Sequence, residues 1–174
     1  MDISNEVRLT PQKAKDHFPQ LDLNGFRITS DIDVFYNCFA WAAHDTKHNW
    51  QPSKTTDHIW FISNLAETAE NYAENYSHVG FEVTENRKVE PHIEKIALYV
   101  NQDGQTTHAA RQLENGKWTS KYGWREDFEH ATLECLEGEA YGQVQLVLQR
   151  PKEEKEWKQK VAESHRQNLK TSKS

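Results

Sequence analysis

Residues 95–122 read KIALYVNQDGQTTHAARQLENGKWTSKY, and this stretch indicates the fold class. Residues 95–100 form an apolar run that is typical of a central strand. Asp103-Gly104 predicts a turn, and residues 106–113 and 117–122 predict two more strands. Asn115-Gly116 separates these two strands and is the strongest hairpin signal in the chain. The stretch therefore predicts an antiparallel meander.

The segments on either side of the meander complete the pattern. Residues 37–43, NCFAWAA, are apolar and rich in alanine, which favours a buried helix that begins close to Cys38. Residues 64–77 predict a second helix, and residues 141–149 predict a last strand before Arg150-Pro151. Helices followed by antiparallel strands are typical of the α+β class.

Composition predicts one domain with polar extensions. The chain has 174 residues, of which 28% are charged, and a mean hydropathy of −0.95. Six Trp, six Tyr and seven Phe nevertheless supply enough apolar area for a core. We expect a loosely structured N-terminal arm over residues 1–25, with a short helix after Thr10-Pro11. The domain itself is expected over residues 26–150, followed by a charged helix or tail over 151–174 that is docked by Trp157.

Hydrophobicity and charge exclude several classes of protein. No window approaches 18 consecutive apolar residues, and the first residues lack the pattern of a signal peptide. Two cysteines do not make a disulfide framework, so a cytoplasmic location is expected. Residues 151–174 hold seven Lys/Arg and four Glu, and the other 14 Lys/Arg and 23 Asp/Glu give residues 1–150 a formal charge of −9. An acidic body disfavours binding to nucleic acid, because phosphate contacts supply most of that affinity.

Cys38 and His108 are the candidate reactive pair. A cysteine at a helix N-terminus feels the positive end of the helix dipole, which favours the thiolate. The alternative for Cys38 is a structural role, since free cysteine is among the most buried residue types. His108 opens the predicted strand 106–113, and a thiolate nucleophile needs a base nearby. A cysteine on a helix followed by a histidine on a strand is the chain order of papain-like hydrolases.

Two motifs resemble one superfamily of enzymes. HAARQLENGKWTS at residues 108–120 resembles the NlpC/P60 and CHAP cysteine peptidases, and NCFAWA at 37–42 is similar to their cysteine-bearing helix. The resemblance covers roughly residues 36–123 and implies a papain-like fold in an uncharacterised bacterial branch. It also implies that Cys38, His108 and Ser120 are catalytic. The sequence departs from the superfamily at Ser120, where His, Asn, Asp or Gln is usual, and at Asn37, before the nucleophile.

The length of the hairpin loop decides which residue lies beside His108. A three-residue loop, 114–116, pairs Leu113 with Lys117 and puts Ser120 on the His108 side. A two-residue loop puts Thr119 and Lys121 there instead. The superfamily resemblance favours the three-residue loop.

Four residues are candidates for supporting roles: Asn37, Lys121, Asp127 and His130. Lys121 would bind an anionic or carbonyl group, with a solvated lysine on a strand as the alternative. Asp127 or Glu129 would supply the carboxylate that Ser120 lacks. Alternatively, Asp127 caps a short helix and His130 is solvated.

His44 and His48 suggest a rival site. Their spacing of four places both on one face of a helix and resembles the H-E-x-x-H zinc motif, with Asp45 in the place of Glu. A third ligand would have to come from elsewhere, and nine histidines in the chain make chance pairs common. We expect neither a metal nor a cofactor.

Three hypotheses for function follow. The leading one is a thiol hydrolase that acts on an amide bond of a peptide or amide substrate, as a peptidase, amidase or deamidase. Cys38 would attack the carbonyl, His108 would carry the proton, and Ser120 would orient the imidazole. The second is a non-catalytic binding or immunity-type domain that retains the fold and whose acidic body suits a basic protein partner. The third is a zinc hydrolase using His44 and His48. Neither nucleic acid nor a membrane is an expected partner, and the oligomeric state stays open.

Overall fold

The computed structural model of the chain describes residues 8–55, 57–152 and 155–171, without the side chains of 155–158 and 171. The expected docking of Trp157 and the ends of both extensions therefore lie outside the described residues. The helices are α1 (Pro11–His17), α2 (Cys38–Ala42), α3 (Ala69–Ser77) and α4 (Lys155–Thr171). The strands are β1 (Arg27–Ile28), β2 (Glu82–Thr84), β3 (Ile93–Val100), β4 (Thr106–Gln112), β5 (Trp118–Lys121), β6 (Asp127–His130) and β7 (Gln143–Pro151).

The strands form one seven-stranded antiparallel sheet in the order β1-β6-β5-β4-β3-β7-β2. This confirms the α+β class and the antiparallel meander of β3, β4 and β5. The amide of Leu113 donates to the carbonyl oxygen of Lys117 at 2.8 Å, so the hairpin has the three-residue loop. Gly116 ends that loop with φ of +84°, a left-handed conformation that glycine adopts without strain.

Helix α2 packs on one face of the sheet, which we call the Cys38 face. The strand residues on this face include Ala109, Arg111, Thr119 and Lys121. The apolar core here combines α2 and α3 with Ile96, Leu98 and Leu148 of the sheet, and it also includes Val161 of α4. The helix beginning at Cys38 is confirmed, because Asn37 caps it and its apolar side chains fill this core.

The opposite side of the sheet, which we call the His108 face, carries His108, Ala110, Ser120, Phe128 and His130. Residues N-terminal to the sheet cover it: Leu9, Ala14, Phe18 and Leu21 are all buried there. Thr10 caps α1, and Pro11 lies in its first turn, as the sequence predicts. The described part of the arm is thus packed rather than loose, because its apolar residues complete a second core.

The alternative in which Asp127 caps a short helix and His130 is solvated is wrong. Residues 127–130 form β6, which pairs with β5 and β1, and both Asp127 and His130 are buried. Phe128 between them fills the core of the His108 face, and this burial favours the strand. Among the described residues, none of the helices combines the length and the apolar character needed to cross a membrane.

Candidate active site

Asn37 fixes the start of α2. Its side-chain oxygen accepts hydrogen bonds from the amides of Ala40 at 3.0 Å and Trp50 at 3.1 Å. Its amide nitrogen donates to the carbonyl oxygen of Trp50 at 3.0 Å. The Asn37 side chain is therefore occupied as a helix cap and as a link to the following loop.

The Cys38 thiol lies beneath α2 in the core of the Cys38 face. It is buried against the sheet, where Ala109 of β4 is its neighbour. Burial raises the pKa of Cys38 to about 11, although the backbone at Ala109 and Phe39 acts in the opposite direction. The cost of desolvating the thiolate outweighs its stabilisation by the N-terminus of the helix, so at neutral pH this cysteine is a thiol.

Three polar side chains form a continuous hydrogen-bond network on the His108 face. Nε2 of His108 lies 2.9 Å from the Ser120 hydroxyl oxygen, and that oxygen lies 2.8 Å from Nε2 of His130. Nδ1 of His130 lies 2.8 Å from the carbonyl oxygen of Thr132 and therefore carries the proton. It follows that Ser120 donates to His130 and accepts from His108.

Both imidazoles of this hydrogen-bonded network, His108 and His130, are neutral. Burial lowers the pKa of His130 to about 4, and burial together with the nearby His130 lowers the pKa of His108 well below its usual range. The ring of His108 stacks on Tyr141 with 4.1 Å between ring centroids. Cys135 is buried beside this network, and its thiol donates to the carbonyl oxygen of Thr132 at 2.9 Å. The network links β4, β5 and β6 within a packed interior.

Cys38 and His108 belong to the cores of opposite faces of the sheet. Successive side chains of a strand point to opposite faces, and Ala109 of β4 lies in the core that contains Cys38. His108, one position earlier, points to the other core and bonds to Ser120. The structure brings His108, Ser120 and His130 together by direct hydrogen bonds. The Cys38 sulfur lies beside the backbone of Ala109, next to His108, and the described contacts include no bond between it and the imidazole.

Lys121 and Asp127 lie on the Cys38 face and contact Tyr36, the residue that precedes Asn37. Tyr36 donates its hydroxyl to Oδ2 of Asp127 at 2.9 Å, and Nζ of Lys121 lies 3.7 Å from Oδ1. The ammonium also lies 4.0 Å from the centre of the Tyr36 ring and donates to the carbonyl oxygen of Arg125 at 2.6 Å. Burial raises the pKa of Asp127 and lowers that of Lys121. Lys121 is therefore buried and paired, not solvated, and these groups anchor the start of α2 to the β5–β6 hairpin.

Arg111 and Trp41 add a second contact between the sheet and α2 that the sequence did not indicate. Nη1 of Arg111 donates to the carbonyl oxygen of Trp41 at 2.8 Å, and the guanidinium lies 4.6 Å from the Trp41 ring centre. Nε1 of Trp41 donates to the Thr119 hydroxyl at 3.1 Å. His108 and Arg111, three positions apart on β4, lie on opposite faces, and Arg111 marks the face that α2 covers.

His44 and His48 do not share a helical face. Helix α2 ends at Ala42, and His44 has φ of +61°, so the chain leaves the helical path between them. Nε2 of His44 lies 3.3 Å from Oε1 of Glu94, whereas Nδ1 of His48 lies 2.8 Å from Oδ2 of Asp45. The described residues contain no group of three or more His, Cys, Asp or Glu side chains that could hold a metal ion.

Residues 27–149 match the model of a family described as Domain of unknown function (DUF7689). No curated protein and no solved structure matches the chain.

Proposed function

The chain belongs to the DUF7689 family, and we propose that it is a non-catalytic, protein-binding domain whose fold is related to that of papain-like NlpC/P60 peptidases. The relation to those peptidases rests on the sequence motifs and on one structural feature. A short helix that begins with a cysteine packs against the strands that carry the His108 motif. The domain would retain this scaffold without the chemistry.

The observation that carries the proposal is the state of the two candidate reactive groups. A thiol with a pKa of about 11 needs a base or a cation beside it to react at neutral pH. Burial lowers the pKa of His108 well below its usual range, which weakens the imidazole as a base. Its Nε2 is bonded to Ser120, and the described contacts of His108 include no bond to Cys38.

Charge supports a basic protein as the partner. Residues 1–150 contain 14 Lys/Arg and 23 Asp/Glu, and this formal charge of −9 attracts cationic surfaces and repels phosphate. An immunity-type role, in which an acidic domain neutralises a basic protein, is the form of binding that fits best. Free Cys38 and Cys135 thiols agree with a reducing, cytoplasmic setting as part of the proposal.

Alkylation of the two cysteines tests the proposal. We expect iodoacetamide at pH 6 to label Cys38 at least about 100-fold more slowly than free cysteine, since burial raises its pKa to about 11. Cys135 should also react more slowly than free cysteine, since burial raises its pKa. Single Cys38→Ala and Cys135→Ala variants assign each rate by mass spectrometry, and denatured protein provides the fully reactive reference. Rapid labelling of Cys38 with an inert Cys135 would overturn the proposal and restore the thiol hydrolase.

A further inference from the structure

An exposed aromatic surface lies where the chain approaches the β5–β6 turn. Among the described residues, nine large hydrophobic side chains are exposed, and four of them are Ile32, Val34, Phe35 and Trp124. These four include both aromatic members of the nine: Phe35 is 73% exposed and Trp124 is 49% exposed. We define the 31–35/124 surface as Asp31, Ile32, Asp33, Val34, Phe35 and Trp124.

Hydrogen bonds hold the two parts of this surface together. The amide of Thr29 donates to the carbonyl oxygen of Asp127 at 2.8 Å, and the amide of Asp127 donates to the Ser30 hydroxyl at 2.8 Å. Further along, the amide of Asp33 donates to the carbonyl oxygen of Arg125 at 3.3 Å, beside Trp124. The segment therefore runs along the buried strand β6 and its turn rather than away from the protein.

Local contacts fix the two exposed rings. The carboxylate of Asp33 accepts a hydrogen bond from the amide of Phe35 at 2.9 Å, which turns the backbone so that Phe35 faces solvent. The next residue, Tyr36, is buried and bonded to Asp127. Nε1 of Trp124 donates to the side-chain oxygen of Asn49 at 3.1 Å. Rings presented by a rigid backbone lose little conformational freedom when a partner covers them.

Exposed aromatic side chains that are clustered and held in place are typical of protein interfaces. Scattered apolar residues on a surface need no explanation, but a contiguous set is characteristic of interaction sites. Trp is among the residues that contribute most to binding energy, and aromatic residues are enriched at interface cores. In the 31–35/124 surface, Phe35 and Trp124 lie within two residues of the hydrogen bond from the Asp33 amide to the Arg125 carbonyl oxygen, which joins the two parts.

Charge specifies the partner. Asp31 and Asp33 alternate with Ile32 and Val34 along the segment, and the body of the chain carries a formal charge of −9. Arg125, the neighbouring cation, lies over the Tyr122 ring at 5.3 Å, with Nε 3.7 Å from Oε2 of Glu126. The surface thus presents apolar anchors between carboxylates, which is complementary to apolar side chains flanked by Lys or Arg.

We infer that the 31–35/124 surface docks a protein segment that presents an aromatic or aliphatic anchor flanked by Lys and Arg. This inference rests on the proposed binding function and assigns it a location and a partner chemistry. The interaction is side chain to side chain, with Phe35 and Trp124 at its centre and Asp31 and Asp33 at its rim.

A selection with random 12-residue peptides displayed on phage, against the full chain, tests the inference. We expect enriched peptides to combine Lys or Arg with apolar anchors. Their affinity should fall at least about tenfold in Phe35→Ser and in Trp124→Ala. The matched control is Val83→Ser: Val83 is 57% exposed and lies on β2, the strand at the other edge of the sheet from β1. This variant should bind as the natural chain does, and all affinities should weaken with added salt.

Four results would overturn the inference. The first is failure to enrich any peptide, and the second is enrichment of acidic or uncharged sequences. The third is a dimer of the chain, detected by light scattering, that Phe35→Ser dissociates, since the surface would then belong to a second copy. Peptides whose affinity is insensitive to Phe35→Ser and Trp124→Ala would refute this location while leaving a binding domain in place. Failure of the proposed function itself is detected separately, by rapid alkylation of Cys38.

Discussion

The hydroxyl group of Ser120 donates to Nε2 of His130 across 2.8 Å inside the sheet. This bond requires the imidazole to be neutral, because a protonated ring has no acceptor. The same hydroxyl accepts from His108, so one proton on His130 would disturb three strands at once. The stability of the domain is therefore linked to the charge state of a histidine that has no solvent contact.

Acid should destabilise the domain between pH 6.5 and 4. The pKa of His130 is about 4 in the folded chain against 6.5 for an ordinary histidine, so the unfolded state binds more protons in this range. Stability from this group is complete above pH 6.5, and about 3 kcal/mol is lost as the pH falls to 4. Urea denaturation at several pH values measures the loss.

His130→Gln is the variant for this test, because glutamine keeps an acceptor for Ser120 and a donor for Thr132 but does not titrate. It should reduce the dependence of the unfolding free energy on pH. His78→Gln, at an exposed histidine, should leave that dependence unchanged. Equal slopes for both variants and the natural chain would contradict the assignment to His130.

Ser120→Ala should lower the free energy of unfolding by about 1–3 kcal/mol, because it leaves Nε2 of His108 and of His130 without partners in the interior. Ser77→Ala is the control. Ser77 is exposed and its hydroxyl donates only to a nearby helix carbonyl, so a change within about 0.5 kcal/mol is expected. Urea denaturation at pH 7 compares the two, and a Ser120→Ala variant as stable as Ser77→Ala would refute the role of the hydroxyl.

Glu94→Gln should destabilise the chain by about 3–5 kcal/mol, because it removes the carboxylate with which Arg150 pairs in the interior. Nε of Arg150 lies 2.7 Å from Oε2 of Glu94, and both side chains are almost fully buried. Burial raises the pKa of Glu94, but His44 and Arg150 outweigh it and hold the value at about 2. The carboxylate is therefore charged throughout the range in which His130 titrates.

The matched control for this pair is Glu114→Gln. Oε1 of Glu114 lies 3.1 Å from Nζ of Lys152 at the surface, where such pairs contribute about 0–1 kcal/mol. Denaturation of both variants by urea gives the comparison. A double variant with Arg150→Met should recover part of the loss from Glu94→Gln, and no recovery would count against the pairing.

Val161→Asp should release α4 from the core of the Cys38 face. Val161 is buried in the core of the Cys38 face, and a carboxylate there would be desolvated. Hydrogen exchange of the amides in residues 160–170 should accelerate at least about tenfold. Leu169→Asp, at a residue that is 43% exposed on the same helix, should leave exchange nearly unchanged. Equal effects of the two substitutions would show that Val161 does not dock the helix.

The strands of the meander could be predicted because their signals are local, whereas their register stayed open between a two-residue and a three-residue loop. An apolar run, Asp103-Gly104 and Asn115-Gly116 define β3, β4 and β5, and the three-residue loop puts Ser120 beside His108. β6 gave no such signal, since four residues with two acidic groups and a histidine resemble a loop or a helix cap. Its conformation is set by pairing with β5 and by burial of Phe128, which are tertiary effects.

The face on which α2 packs could not be predicted from the sequence. Alternation along β4 puts His108 and Arg111 on opposite sides of the strand, but it does not indicate which side packs against α2. That choice depends on Arg111, Thr119 and Lys121 on one side and on the apolar residues before β1 on the other. The sequence motifs identified the residues that matter, and the packing of the helix assigned them to two separate groups.

The sheet is a middle layer with packed residues on both faces, and this limits how far the chain can be shortened. A fragment cut to residues 26–150, the bounds expected for the domain from sequence, would lack Leu9, Phe18 and Leu21 on one side and Val161 on the other. Both faces would then expose apolar area to water, at about 25 cal/mol per Å². Such a fragment should aggregate during expression, whereas a cut ahead of residue 8 leaves these four side chains in the chain. The unit that folds is longer than the unit that the motifs outline.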